Sequence, residues 1–282
     1  MSVATDTELA AGLDLVERAF AEDLGGDADG IDLTAAALEG VELEALLVAR
    51  QTGVTCGLQV AAHAFTRRGV ARVEQLVADG ERVDPGTPLI CVHGQAAAIL
   101  TAERTALNVV QRLAGTATLT RAFVDAVAGT DAQILDTRKT IPGMRALQRW
   151  AVRCGGGHNH RFGLADEAML KDNHIAACGG IAAALARVRE SHPGARVHVE
   201  ADTLDQAREA VEAGADVILL DNMSNDELRD AVALIGDRAL TEASGGVTLA
   251  TVAAIAATGV DRISIGAITH SAPAFDAALD AV

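Results

Sequence analysis

The sequence predicts an α/β chain in two parts, a strand-rich N-terminal domain followed by an incomplete parallel (β/α) barrel. Three observations carry this prediction. From residue 133 onward, short apolar runs alternate with helical stretches, and each run ends in a polar residue: Lys139, Lys171, Glu200, Asp221, Ser244 and His270. Successive ends lie 32, 29, 21, 23 and 26 residues apart, the length of a strand plus a helix. Residues 41 to 93, by contrast, hold short β-type runs punctuated by turn residues. The chain is 50% hydrophobic with only 2% aromatic residues, so its core must be Ala, Val, Leu and Ile in closely spaced elements.

In chain order, Leu9, Leu13, Val16 and Phe20 recur at helical spacing among acids and predict an amphipathic opening helix that GGDADG terminates. The runs ALLVA, ARVEQLV and PLICV then read as strands, separated by Thr52-Gly53, Asp79-Gly80 and Asp84-Pro85-Gly86. GERVDPGTPLICVHG looks like half of a biotinyl or lipoyl carrier sandwich. A carrier needs a lysine at a hairpin tip, and residues 41 to 103 contain none, which excludes that function. Ile99, Leu100, Leu107, Val110 and Leu113 predict one or two helices over 96 to 127. A division near residue 112 follows, with residues 113–282 forming the barrel and a C-terminal helix beginning near Pro273. Six barrel strands are legible where eight would close one, so the barrel is expected to be open; a doubly wound sheet is the alternative.

Charge is distributed unevenly. The chain carries a net −16, yet Asp136 to Lys171 holds seven Lys/Arg against three Asp/Glu, a local +4, leaving −20 for the remainder. Such a cluster in an acidic protein suits a small, multiply anionic ligand. Acidity elsewhere and scarce aromatics exclude nucleic acid as a partner. Cys56, Cys91, Cys154 and Cys178 form no C-x-x-C pair, which predicts reduced thiols in a cytoplasmic protein. Met1 to Ala10 lacks a basic leader region, and no apolar run approaches the ~18 residues of a membrane span.

The strand ends carry the chemistry. Glu200 and Asp221 would face one cavity, where Mg²⁺ takes carboxylates plus substrate phosphates; helix caps or partners for lysine are the plainer use of such acids. Ser244-Gly245-Gly246 and Gly266 to Ser271 each precede a helical stretch, where backbone N–H groups hold phosphate. Arg138, Lys139 and Lys171 gather cations at the same mouth. GGGHNHR presents His158, His160 and Arg161 beside them, with Arg138 and Arg161 suited to clamp planar carboxylates. Zinc on the two histidines would need a third ligand and would be opposed by these cations. Lys139 or Lys171 as a Schiff-base nucleophile would need desolvation away from acids, which fits less well than charge neutralisation.

These motifs together resemble the quinolinate phosphoribosyltransferase family. The resemblance spans nearly the whole chain: EDL (22 to 24), TAERTALN (101 to 108), DTRKTIPGMRALQ (136 to 148), GGGHNHR (155 to 161), LKDNH (170 to 174), VE (199 to 200), LLDN (219 to 222), EASGG (242 to 246) and IGAITHS (265 to 271). It implies an N-terminal α/β sandwich-like domain, an incomplete α/β barrel, and a homodimer with shared active sites. It implies joining quinolinate to 5-phosphoribosyl 1-pyrophosphate with Mg²⁺, releasing pyrophosphate and carbon dioxide and giving nicotinate mononucleotide.

Carried over by position, Arg104 would reach across the dimer to quinolinate, and Thr137, Arg138, His160 and Arg161 would hold it with Lys171 nearby. Lys139 and Lys171 would face the phosphoribosyl donor, Glu200 and Asp221 its ribose and Mg²⁺, and Ser244, Gly245, Gly266 and His270 its phosphates. Two departures stand out: the EDL region runs on as GGDADGIDLT, and Ala243 replaces a common serine. His63, His93, His192 and His198 belong to no motif and read as surface or core residues.

Overall fold

The computed structural model describes residues 3–282, so the first two positions of the opening segment lie outside the described residues. In chain order the elements are α1 (Asp6–Asp23), β1 (Glu42–Ala49), β2 (Gly53–Val54), α2 (Leu58–Arg67), β3 (Arg72–Gln75), β4 (Arg82–Val83), β5 (Pro88–Gln95), α3 (Ala96–Ala126), β6 (Gln133–Leu135), α4 (Arg145–Cys154) and β7 (Ala168–Leu170). There follow α5 (Asp172–Cys178), α6 (Ile181–Ser191), β8 (Val197–Ala201), α7 (Leu204–Glu212), β9 (Val217–Asp221), α8 (Asn225–Ile235), β10 (Leu240–Ser244), α9 (Val252–Ala256), β11 (Arg262–Ser264), α10 (Ala267–His270) and β12 (Ala277–Ala281). Two units interleave along the sequence. The first takes residues up to Arg121, Thr140–Gly156 and Ile268–Val282; the second takes Ala122–Lys139 and Gly157–Ala267. Two later segments thus return to the first unit, where a linear division near 112 was expected.

In the first unit, Thr5 starts α1 with a capping box: its hydroxyl accepts the Glu8 N–H at 3.3 Å while the Glu8 carboxylate accepts the Thr5 N–H at 2.9 Å. Val16 and Phe20 are fully buried, the apolar stripe read from the sequence. Glu8 also receives both Arg153 nitrogens at 2.7 Å, tying α1 to α4. The sheet runs β12-β1-β5-β3 and is antiparallel throughout.

Two features differ from expectation. LQVAAHAFTR is a helix inside the strand-rich region, burying Leu58, Val60, Ala61, Ala64 and Phe65 at helical spacing. The helix expected near Pro273 is absent; Ala277 to Ala281 instead pairs with β1 from Ala49↔Ala277 to Ala45↔Ala281. The edge of β1 supplies ready backbone partners, and pairing with it decides the conformation of this segment.

In the second unit the six strands are parallel in the order β6-β11-β10-β9-β8-β7. Counted along the chain this is 1-6-5-4-3-2, the cyclic order of a barrel open between its first and second strands; the doubly wound alternative is thereby discarded. At the open seam His158 flanks β6, its N–H donating to Ile134 O at 2.8 Å while the Asp136 N–H donates to His158 O at 3.1 Å. The GGGHNHR segment is therefore stitched to the first barrel strand. Among the described residues no helix is long and apolar enough to cross a membrane.

Candidate active site

A cavity of about 340 Å³ opens within the second unit. Its lining follows the period-2 alternation of the strands: Met169 and Lys171 from β7 and its end, Glu242 and Ser244 from β10, Leu219 from β9 and Ser264 from β11. The upper layer is polar and charged. The next inward position on each strand forms the floor, and the sequence reading passed over it. Met169, Leu219 and Glu242 were missed because they sit inside strands, where only the end residue stands out, and Ser264 because its strand was read as running on to His270; stepping back two residues from Lys171, Asp221 and Ser244 would have found the first three.

Thr137, Arg138, Lys139, His160, Arg161, Lys171 and Ser244 line this cavity together. Asp136 explains how the first five converge. Fully buried, it accepts the His160 N–H on Oδ1 at 2.7 Å and the Asn159 amide on Oδ2 at 2.6 Å, holding the histidine segment beside the end of β6. Thr137 Oγ1 accepts the Lys139 N–H at 3.1 Å and turns the chain at the rim. Arg161 donates from Nη1 to the Glu167 carbonyl at 2.8 Å. Burial, and then the neighbouring Arg138 charge, pulls its guanidinium below the usual arginine range. A pair of crowded cations is a site prepared for an anion.

Glu200, next to last in β8, forms an ion pair with the Lys171 ammonium. Burial raises the Glu200 carboxyl above its ordinary value, Asp172 and the Asp221 charge push the same way, and Lys171 opposes them. Asp221 ends β9 in register with Ser244 of β10. Glu200 and Asp221, close enough for the Asp221 charge to act on Glu200, are oxygen donors of the kind a hard divalent cation takes. Asn222 follows at φ +53°, the one non-glycine residue with positive φ among those described; its N–H donates to Ser244 O at 2.9 Å and its amide to Asp221 Oδ2 at 2.6 Å.

Gly245 and Gly246 follow Ser244 with φ of +96° and +59°. The helix expected directly after them begins only at Val252 and has five residues, and α10 after Gly266 has four. Backbone N–H groups of a glycine turn, not a helix start, are therefore what this rim offers an anion. Arg104 is exposed on α3 and His270 is exposed with Nδ1 2.6 Å from Ser271 Oγ; both belong to the first unit.

Below the rim, His160, His198 and Glu242 bring ligand-type atoms within 4.8 Å of one another, all buried. His198, read from the sequence as surface or core, is a core residue with 0% exposure; His93 and His192 are exposed and His63 half-buried.

Comparison with known proteins agrees with this geometry. The family profile of the quinolinate phosphoribosyl transferase N-terminal domain matches residues 32–114 and that of the C-terminal domain residues 116–280. The nicotinate-nucleotide pyrophosphorylase [carboxylating] of Mycobacterium leprae is 44% identical over 98% of this chain and 99% of that protein. The probable enzyme of the same name from Bacillus subtilis is 42% identical over 94% of this chain and 92% of that protein. The solved structure of the nicotinate-nucleotide pyrophosphorylase from Francisella tularensis superposes with a TM-score of 0.90 at 39% identity, covering 96% of this chain and 97% of that one. With both domain profiles matched in order over a shared fold, the chain belongs to the quinolinate phosphoribosyltransferase family.

Proposed function

We propose that this chain transfers the phosphoribosyl group of 5-phosphoribosyl 1-pyrophosphate to quinolinate and decarboxylates the product, giving nicotinate mononucleotide, pyrophosphate and carbon dioxide. The observation that carries the reading is the convergence of Arg138, Lys139, His160, Arg161 and Lys171 on one cavity whose rim also holds Ser244. Quinolinate brings two carboxylates, and Arg138, Lys139, Arg161 and Lys171 supply more cationic donors than one carboxylate needs. Lys171 is ion-paired with Glu200, which disfavours the Schiff-base alternative, since an ammonium held by a carboxylate is a poor nucleophile.

In the mechanism, Arg138 and Arg161 hold the dicarboxylate with Thr137 and His160 beside them, and orient the pyridine nitrogen toward C1 of the ribose. Lys139 and Lys171 face the pyrophosphate, and the backbone of Ser244, Gly245 and Gly266 takes phosphate oxygens. Glu200 and Asp221 hold the ribose and fit Mg²⁺, which supplies charge neutralisation to the leaving group when bound. As the C1–O bond breaks, positive charge grows on C1 opposite these carboxylates while the lysines stabilise the departing oxygens. The nitrogen lone pair forms the new C–N bond. The resulting pyridinium accepts the electron pair left when the adjacent carboxylate departs as carbon dioxide, and that carbon then takes a proton from solvent. Arg104, exposed on α3, is read as the residue a second copy contributes in a homodimer. The test is direct: quinolinate, Mg²⁺ and the phosphoribosyl donor should yield pyrophosphate, carbon dioxide and nicotinate mononucleotide in equal amounts. Turnover with nicotinate but not quinolinate would refute the substrate assignment.

A further inference from the structure

Glu242 has no place in the mechanism above, yet it lies in the floor of the cavity with 0% exposure. A fully buried carboxylate is expensive, and one placed under an anion site also repels the ligand. Such a group persists where it sets something else. Its Oε1 accepts a hydrogen bond from the Ser264 hydroxyl and lies 3.3 Å from His160 Nε2.

His160 Nδ1 in turn accepts the Arg161 backbone N–H at 2.7 Å. A backbone N–H only donates, so Nδ1 carries no proton, and the proton of the neutral ring resides on Nε2, facing Glu242. A metal on His160, His198 and Glu242 would need the Nε2 lone pair while Nδ1 is already an acceptor, leaving the ring no proton at all; a protonated Nε2 facing the Glu242 carboxylate at 3.3 Å is the consistent arrangement. The contacts form a chain: Ser264 to Glu242, Glu242 to His160, His160 to the backbone of Arg161, whose guanidinium lines the cavity.

We propose that Glu242 is a positioning residue: by fixing the His160 ring with its proton on Nε2, it makes Nδ1 the anchor of the Arg161 backbone and so aims the Arg161 guanidinium at a substrate carboxylate. This rests on the proposed function, in which Arg161 binds quinolinate. Glu242 touches no reacting atom. His160 acts through Arg161, with both ring nitrogens turned to protein.

The test uses the full-length enzyme and first establishes wild-type turnover; absence of turnover refutes the proposed function and leaves the variants unnecessary. Glu242→Leu removes the acceptor and should raise KM for quinolinate about tenfold or more, the scale of one lost hydrogen bond in a buried chain, with KM for the phosphoribosyl donor within twofold. Glu242→Gln, which retains an acceptor oxygen, should recover most of that loss. Ser264→Ala removes only the anchor of Glu242 and should give a smaller loss of the same kind, which serves if the leucine variant does not fold.

Histidine variants separate positioning from contact. Asparagine places its amide oxygen where Nδ1 lies, and glutamine places its polar end near Nε2. His160→Asn should therefore bind quinolinate at least several-fold better than His160→Gln, and Glu242→Leu should have little further effect in the asparagine background. A glutamine variant superior to the asparagine variant, additive losses in the double variant, or equal losses for both substrates would overturn the proposal. So would stoichiometric Co²⁺ binding with d–d absorption that disappears in Glu242→Leu, since that would assign the three groups to a metal.

Discussion

Replacing Gly245 with alanine tests whether the rim of the cavity is one interlocked unit. A Cβ at this position would lie 2.2 Å from Asn222 Oδ1, 2.5 Å from its Cγ and 2.9 Å from its backbone N, at a φ of +96°. The left-handed conformation costs about 1–2 kcal/mol for a residue with a Cβ, and relieving the overlap against a backbone atom costs about 1–3 kcal/mol more. The sum, about 2–5 kcal/mol, converts to a fall in Tm of roughly 3–9 °C for a chain of this size. The function should suffer by a different route. Asn222 is hydrogen-bonded to Ser244 O and Asp221 Oδ2, so displacing it moves a proposed Mg²⁺ ligand and the phosphate turn together. Thermal unfolding and initial rates over a Mg²⁺ and phosphoribosyl-donor matrix read both effects. We expect KM for the donor to rise about tenfold, the cost of about 1.4 kcal/mol in binding, with quinolinate affinity far less affected. Gly246→Ala is the internal control: its φ is +59° but no atom lies within 4 Å of a Cβ there, so only the backbone term remains. A Gly245→Ala protein with parental Tm and parental metal dependence would refute the reasoning.

Other predictions follow from the same structure. Arg138→Ala should lose quinolinate binding in calorimetry while largely keeping affinity for the phosphoribosyl donor; equal loss of both ligands would contradict the division of the cavity. Mixed dimers of Arg104→Ala and Lys171→Ala subunits should regain part of the activity that each variant lacks, and a verified heterodimer without recovery would remove Arg104 from the partner's site. The Glu8 carboxyl is destabilised by burial, yet the hydrogen bonds and charge of Arg153, with the Thr5 N–H, hold it below its ordinary value. Because the folded value is the lower one, the pair stabilises the protein above about pH 4.5 and that stability is lost as pH falls through the folded value. Glu8→Gln should therefore cost about 1–3 kcal/mol at pH 7 in denaturant titrations and progressively less in acid. Burial first, and then the adjacent Cys154, pushes the Cys56 thiol upward, so a thiol reagent should label the half-buried Cys91 and Cys178 in the native protein and Cys56 only on unfolding.

Much of the second unit was legible because strands and helices alternate there with little variation. Each of the six apolar runs read from residue 133 onward holds one of the six parallel strands, and four of the seven cations in the positively charged segment, Arg138, Lys139, Arg161 and Lys171, line the cavity, while Arg145, Arg149 and Arg153 lie on α4 of the first unit. The first unit was legible in outline. Its opening helix and strands β1, β3 and β5 follow local periodicity, but α2 lay hidden in a region dominated by turn signals, and β12 has a composition that locally favours helix. Strand pairing is a non-local decision: AALDA becomes β-structure because β1 offers it a register, which no window of the sequence contains.

By itself, then, the sequence determined the elements, the incomplete barrel, and which strand ends carry cations and carboxylates, since these depend on periodicity and on the alternation of side chains along a strand. Tertiary structure alone decided what lies beneath them. The cyclic strand order with its open seam, the buried Asp136 that gathers His160 and Arg161, and the contact of Glu242 with His160 all join residues more than twenty positions apart. Such contacts arise when a sheet curls and brings the inner face of every strand to one axis. Their partners are selected by geometry in three dimensions, so neighbouring residues in the chain carry no trace of them.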